Sequence, residues 1–226
     1  MEIIYSIGGF FAGGGAFMFP ILLVAAFGTA IGVERYVTLT RLGAKNRSAW
    51  AQFEPVLTSG DFDKARELAS KDDTAISRLL GMGLSRQGAV RRREDVEIAM
   101  EQSMMEIVPQ LEKRTHYLAT FANLATLLGL LGTVSGLIHA FAAVATVNPA
   151  EKANLLSASI SEAMNCTAFG LMTAVPIVFV HALLQTKTTE LINSLETAAV
   201  KFLNAITGRQ TTRGESRLEL AQAVQR

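Results

Sequence analysis

L-L-G-L-L-G-T-V-S-G (127–136) and E-A-M-N-C-T-A-F-G-L-M-T-A-V-P (162–176) decide the fold. Each lies in an apolar run long enough to cross a bilayer, which takes about 20 helical residues. Each also carries glycines, alanines and hydroxyls where a simple lipid anchor would carry Leu and Ile, a composition that belongs to helices packed against other helices. Ala125, Gly129, Gly132, Gly136 and Ala140 recur every three or four residues, as do Ala163, Thr167, Gly170 and Ala174, so each helix presents a ridge of small residues. Spacing alone leaves two uses for the ridges: packing within one chain, or joining several copies around a central space.

Outward from these two segments, the chain reads as an all-α integral membrane protein with three transmembrane helices and long cytoplasmic helical extensions. Half of its 226 residues are hydrophobic, while the 18% that are charged fall in blocks. Mean hydropathy is +0.30. The predicted spans are 16–36, 117–147 and 162–186. Pro20 fits the first turn of the first, where its missing N–H costs no hydrogen bond. The second exceeds the bilayer and should tilt or protrude. Residues 1–15, rich in glycine, are too short for a span and read as an extracytoplasmic interfacial segment, and without a basic n-region they do not read as a cleaved signal peptide.

Lys and Arg set the orientation. Residues 1–34 contain neither and the connector 148–161 contains only Lys152, whereas Arg35, Arg41, Lys113, Arg114 and Lys187 flank the spans on the opposite side. The N-terminus and the connector are therefore expected outside, and residues 37–116 and 187–226 in the cytoplasm. In 37–116 the pattern is helical. G-D-F-D-K-A-R-E-L-A-S (60–70) predicts a short helix with Asp61 as N-cap, and T-A-I-S-R-L-L-G-M-G-L (74–84) a second with Ile76, Leu79, Leu80 and Leu84 on one side. From Arg91 the apolar positions continue at helical spacing into the second span, which predicts one helix to Val147, on the order of 85 Å at about 1.5 Å per residue. Pro109 should kink it.

Several side chains in the spans could carry chemistry. A threonine in a membrane helix usually bonds its own i−4 carbonyl. Thr126, Thr133 and Thr167 could instead line a polar stripe, since hydroxyls both donate and accept and can pass a proton without holding a fixed charge. Glu162, at the outer end of the third span, reads either as an acid favoured by a helix N-terminus or as a pore-mouth carboxylate. His139 and His181 lie deeper, where a neutral imidazole bonded to a neighbouring helix is as good a reading as a relay. Ser135 and His139 share a helix face, but G-T-V-S-G misses the nucleophile-elbow spacing, and no zinc, phosphate-loop or paired-aspartate motif occurs, so neither an enzyme nor a metal or cofactor site is expected. Cys166 is the single cysteine, which excludes an intrachain disulfide, and a net charge of +1 gives no reason to expect nucleic acid.

Five blocks carry a resemblance: G-G-A-F-M-F-P-I (14–21), E-R-Y-V-T-L (34–39), G-D-F-D-K-A (60–65), L-L-G-L-L-G-T-V-S-G-L (127–137) and S-E-A-M-N-C-T-A-F-G-L-M-T-A-V-P (161–176). With these the chain resembles the MotA/TolQ/ExbB proton-channel family, most closely its three-span ExbB/TolQ branch. The resemblance implies a homopentamer enclosing the single membrane helices of an ExbD/TolR-like partner whose aspartate binds the proton, with a TonB/TolA-like protein as a further partner. It assigns Thr133 and Thr167 to the pore and matches Glu162 to the acid that opens the third span. The small-residue spacing itself gives Gly129, Gly132, Gly136, Gly170 and Ala174 as helix-packing positions. An acid supplied by another chain accounts for spans that hold none in mid-membrane. Ser135, where many relatives have Trp, and N-L-A-T (123–126), where relatives often have A-P, depart from the pattern and leave the ExbB, TolQ and gliding-motility branches undivided. The competing reading is a non-conducting oligomeric scaffold.

The charge asymmetry predicts labelling. A cysteine introduced at Ala150 should react with an impermeant thiol reagent in intact cells, while cysteines at Ser59 and Thr211 stay shielded. Reaction at Ser59 from outside would overturn the orientation.

Overall fold

A computed structural model describes residues 14–87 and 93–224, with side chains described for 14–86 and 93–207. Most of the N-terminal interfacial segment and the expected helix start at Arg91 lie outside these residues. Among the described residues six helices follow one another: α1 (Met18–Ser59), α2 (Phe62–Lys71), α3 (Ala75–Gln87), α4 (Arg93–Glu112), α5 (Thr115–Val144) and α6 (Pro149–Val224). No strand occurs among the described residues. Three stretches are long and apolar enough to cross a membrane, within Met18–Ser59, Arg93–Val144 and Pro149–Thr207. The chain is thus all-helical with three candidate spans, as the apolar periodicity requires.

The chain divides into two compact units, with boundaries between Tyr36 and Val37, Lys113 and Arg114, and Gln185 and Thr186. The apolar unit packs the first part of α1 against α5 and α6. Glycines set the spacing: a Cβ on Gly28 would lie 2.7 Å from Ile177 Cδ1, and one on Gly32 would lie 3.2 Å from Val180 and 3.6 Å from Leu118. Along α5, Leu118, Ala122, Ala125, Gly129, Gly132 and Ala140 are buried, while Leu127, Leu130, Leu131, Val134, Ile138 and Phe141 stay exposed. So much contiguous apolar surface is incompatible with water and belongs against lipid or neighbouring protein.

The long helix expected from Arg91 to Val147 is interrupted. Residues 113 and 114 form a turn, and Arg114 adopts φ 67°, a left-handed conformation no α-helix continues through. Tyr117 N–H then donates to the Arg114 carbonyl at 3.2 Å and α5 begins. Pro109 remains inside α4, so the break comes beyond the proline. Arg114 Nη1 is anchored to both carboxylate oxygens of Glu34, at 2.7 and 3.0 Å, and next to this pair the buried Arg35 donates from Nε to Thr115 Oγ1 at 3.3 Å. The tie between the end of the α1 span and the start of α5 holds Arg114 in its costly backbone state.

In the other unit, Asp61 caps α2 by accepting from Lys64 N–H at 3.1 Å, and Thr74 caps α3 by accepting from Ser77 N–H at 3.2 Å. Ile76, Leu79, Leu80 and Leu84 are buried along one side of α3. Phe62 and Phe202 meet edge to face with centroids 6.5 Å apart. One group breaks the polar bookkeeping of this unit: Asn46 is 2% exposed, and among the described residues it alone has buried side-chain atoms, Nδ2 and Oδ1, with no hydrogen-bond partner. A buried orphan of this kind costs about 1–3 kcal/mol, whereas an apolar group of similar shape does not. Asn46→Leu should therefore raise the thermal unfolding temperature of the purified protein; a clear fall would show that the amide is satisfied.

Candidate functional site

The small-residue ridges of α5 and α6 face each other within one chain. A Cβ on Gly129 would lie 3.3 Å from the Cα atoms of Gly170 and Thr167, one on Gly170 would lie 2.7 Å from the Ala125 carbonyl oxygen, and one on Gly136 would lie 2.8 Å from Ala163 Cβ. Gly132 abuts the buried Cys166, and Ala174 is buried further along α6. Of the two uses that spacing left open, packing within the chain accounts for these contacts. Separation this small makes a backbone carbonyl of one helix reachable by a short side chain of the other.

Thr167 uses that reach. Its hydroxyl donates to the Gly129 carbonyl on α5 at 2.8 Å and lies 2.9 Å from Thr133 Oγ1. Thr133 in turn donates within α5, to Leu130 O at 2.8 Å with Gly129 O at 3.4 Å. The ordinary own-helix bond thus holds for Thr133 and also for Thr126, which donates to Ala122 O at 3.1 Å, but Thr167 bonds across helices. Thr126 bonds within its own helix and to neither of the other two hydroxyls, so the site is a pair rather than a stripe of three. Two hydroxyl protons face three acceptors within 2.9 Å: Leu130 O, Gly129 O and the partner hydroxyl. If Thr133 turns to Thr167, Thr167 serves Gly129; if Thr133 serves Leu130, Thr167 can turn to Thr133. Rotating two hydroxyls reverses the polarity of the bond between them, which is what a proton relay needs. Both residues are half-buried, so the pair borders a surface of the unit and is not sealed in its core.

Glu162 stands apart from this pair. It lines a cavity of about 250 Å³ together with Gly15, Ser135, Gly136, His139 and Ser159. Its carboxylate crowds Gly15, whose φ of 72° already favours glycine; any side chain there would strike the acid. The helix-dipole reading of Glu162 does not hold: α6 begins at Pro149, so Glu162 lies well inside the helix, and the dipole acts only within the first turn. Residues 149–161, read from sequence as connector, are helical. His139 Nδ1 donates to the Ser135 carbonyl at 2.8 Å and lies 3.4 Å from Ser135 Oγ. With its proton committed to that carbonyl, Nδ1 cannot take one from Ser135, so the two form no nucleophile and base. No group of three or more His, Cys, Asp or Glu suited to a metal occurs among the described residues.

Sequence reasoning found the threonines but not their shared acceptor, the Gly129 carbonyl, because a backbone acceptor has no letter in a sequence. It counted Glu34, Arg35 and Arg114 only as motif and topology. Opposite charges at the end of one span and the start of the next were the available sign of a tie.

Comparison with known proteins bears on the same helices. The sequence pattern of the MotA/TolQ/ExbB proton channel family matches residues 71–197. The Tol-Pal system protein TolQ of Haemophilus influenzae is 33% identical over 109 residues, 48% of this chain and 46% of that protein. TolQ of Pseudomonas aeruginosa is 27% identical over 166 residues, 73% of this chain and 64% of the relative. The putative biopolymer transport protein ExbB-like 1 of Synechocystis sp. is 31% identical over 173 residues, 73% of this chain and 65% of the relative. The chain thus spans about half to two thirds of the length of these relatives.

The helix contact makes a graded prediction. Gly170→Ala should destabilise the protein, since its Cβ meets the Ala125 carbonyl, and Gly170→Leu should do so more strongly, by more than about 3 kcal/mol as overpacking adds to lost contact. Thermal unfolding in detergent measures both, and two wild-type values would mean that the helices do not approach this closely.

Proposed function

Because the chain belongs to the MotA/TolQ/ExbB proton channel family, we propose that it is the channel subunit of an inner-membrane, Tol- or Exb-type energy-transducing complex, not an enzyme. Its periplasmic N-terminus and cytoplasmic C-terminus follow from the charge asymmetry. Five copies enclose the single membrane helices of an ExbD/TolR-like partner, and proton motive force becomes mechanical work through that partner, with a TonB/TolA-like protein receiving it. The observation that carries the reading is the Thr133–Thr167 hydroxyl pair at 2.9 Å, in spans that contain no acid of their own in mid-membrane.

The mechanism follows from what hydroxyls can do for a carboxylate in a dry site. A charged aspartate on the partner helix is expensive in an apolar pore, and protonation removes most of that cost. The threonine pair offers the charged form a donor and the neutral form an acceptor, so it solvates both states and hands the proton on by hydroxyl rotation. Glu162, on the cavity it shares with His139 and Ser159 at the outer end, gathers protons before they reach the pair. Each proton crossing the membrane brings about 2.3 kcal/mol per 100 mV of potential, which drives the partner helices relative to the ring.

Thr→Val at 133 and 167 keeps shape while removing the hydroxyl. Loss of one hydrogen bond to a charged group costs about 1.5–3 kcal/mol, so proton transfer should slow about tenfold or more, with assembly preserved. Thr→Ser should retain more activity than Thr→Val. The measurement is proton uptake by vesicles carrying the complex reconstituted with its partner; full flux in the double Val variant would remove the pathway, and an assembled complex with no flux even in the wild type would favour a non-conducting scaffold.

A further inference from the structure

A groove of about 620 Å³ in the unit that holds residues 37–113 runs between α1 and α6, lined among others by Asn46, Arg47, Trp50, Lys187, Glu190 and Leu191. None of these residues has a part in the proton pathway. Asn46 is the second observation at this groove: a residue on its lining, 2% exposed, whose buried carboxamide uses neither its donor nor its acceptor. An Asn amide holds an N–H donor and a C=O acceptor side by side, and its complement is a group that presents an acceptor and a donor side by side, such as the edge of adenine. An aromatic wall suits a planar ring. Two cationic side chains suit phosphate, and a carboxylate can accept from ribose hydroxyls.

We propose that this groove binds an adenine nucleotide, with the base edge on Asn46 beside Trp50, phosphate on Arg47 and Lys187, and ribose on Glu190. The neighbouring groups leave room for this assignment. Lys187 Nζ donates to Thr40 Oγ1 at 3.0 Å, which holds the ammonium at one side of the groove. Lys201 Nζ stands 5.3 Å from the Trp50 ring centroid and pairs with Glu54 at 2.7 Å, so the proposal uses the ring where it lines the groove and not the face that Lys201 covers. The two orphan atoms of Asn46 are out of reach of bulk water, so the proposal requires the amide to turn into the groove as the ligand enters. The assignment stands apart from the channel reading, since it uses other residues and needs no proton flux.

Equilibrium dialysis of the full chain in detergent micelles tests it, with radiolabelled AMP and ADP as probes and inorganic phosphate and anionic phospholipid as competitors. Saturable binding of one adenine nucleotide per chain is expected. Asn46→Leu should weaken it about tenfold or more, and Arg47→Ala should weaken phosphate-bearing ligands while sparing adenosine. Asn46→Leu variants that keep the wild-type unfolding temperature or exceed it rule out misfolding as the cause of any loss. No saturable binding at millimolar nucleotide, binding unchanged in Asn46→Leu, or displacement by inorganic phosphate or phospholipid at equal concentration would each overturn the proposal, the last because the groove would then recognise charge alone.

Discussion

Close approach of α5 and α6 is the constraint on which the membrane unit depends. Gly129 and Gly170 let the two backbones meet, and any Cβ at Gly170 runs into the Ala125 carbonyl. That approach brings Thr167 within 2.8 Å of a carbonyl that belongs to the other helix. In lipid there is no water to serve a polar group left over, so the bond is both a packing contact and the means by which Thr167 is satisfied. The hydroxyl pair exists because the glycines do. In turn, the ridges are occupied inside the chain, which leaves the other, Leu- and Phe-bearing faces of α5 and α6 exposed.

Much of this was legible in the sequence. Apolar runs gave the three candidate spans, and the small-residue spacing identified the faces that meet. Asp61 and the buried side of α3 followed from local capping and periodicity, which are properties of a few adjacent residues. What stayed hidden was what depends on partners far apart in the chain. The break at Arg114 has no glycine or proline to announce it; the residue sits at φ 67° with its guanidinium on Glu34, 80 positions earlier. Glu162 looked like a helix start because the apolar run starts there, yet helical hydrogen bonding continues upstream to Pro149 through residues too polar to count as span. Hydropathy marks where a helix enters lipid, not where its backbone pattern begins.

Two polar arrangements in the chain respond to burial in opposite ways. At the threonine pair every proton has an acceptor and more acceptors stand by than protons, so the network is satisfied in more than one arrangement. At Asn46 a donor and an acceptor have none. The first is stable and can switch; the second is a standing cost unless something enters the groove. That difference separates a site that works through its own rearrangement from one that is completed from outside.

For the proposed channel, the absence of an acid in the middle of the second and third spans is what gives the threonine pair its role. A carboxylate fixed on this chain would have to be inserted with its charge cost and would keep its position relative to the pore wall throughout a cycle. In the channel we propose, a charge placed on a separate helix lets protonation change the affinity of that helix for the wall, so that the same event which moves a proton also moves a protein. The wall must then stabilise both protonation states nearly equally, or it would trap one of them. Neutral hydroxyls that donate and accept meet that requirement, and a fixed charge of either sign would not.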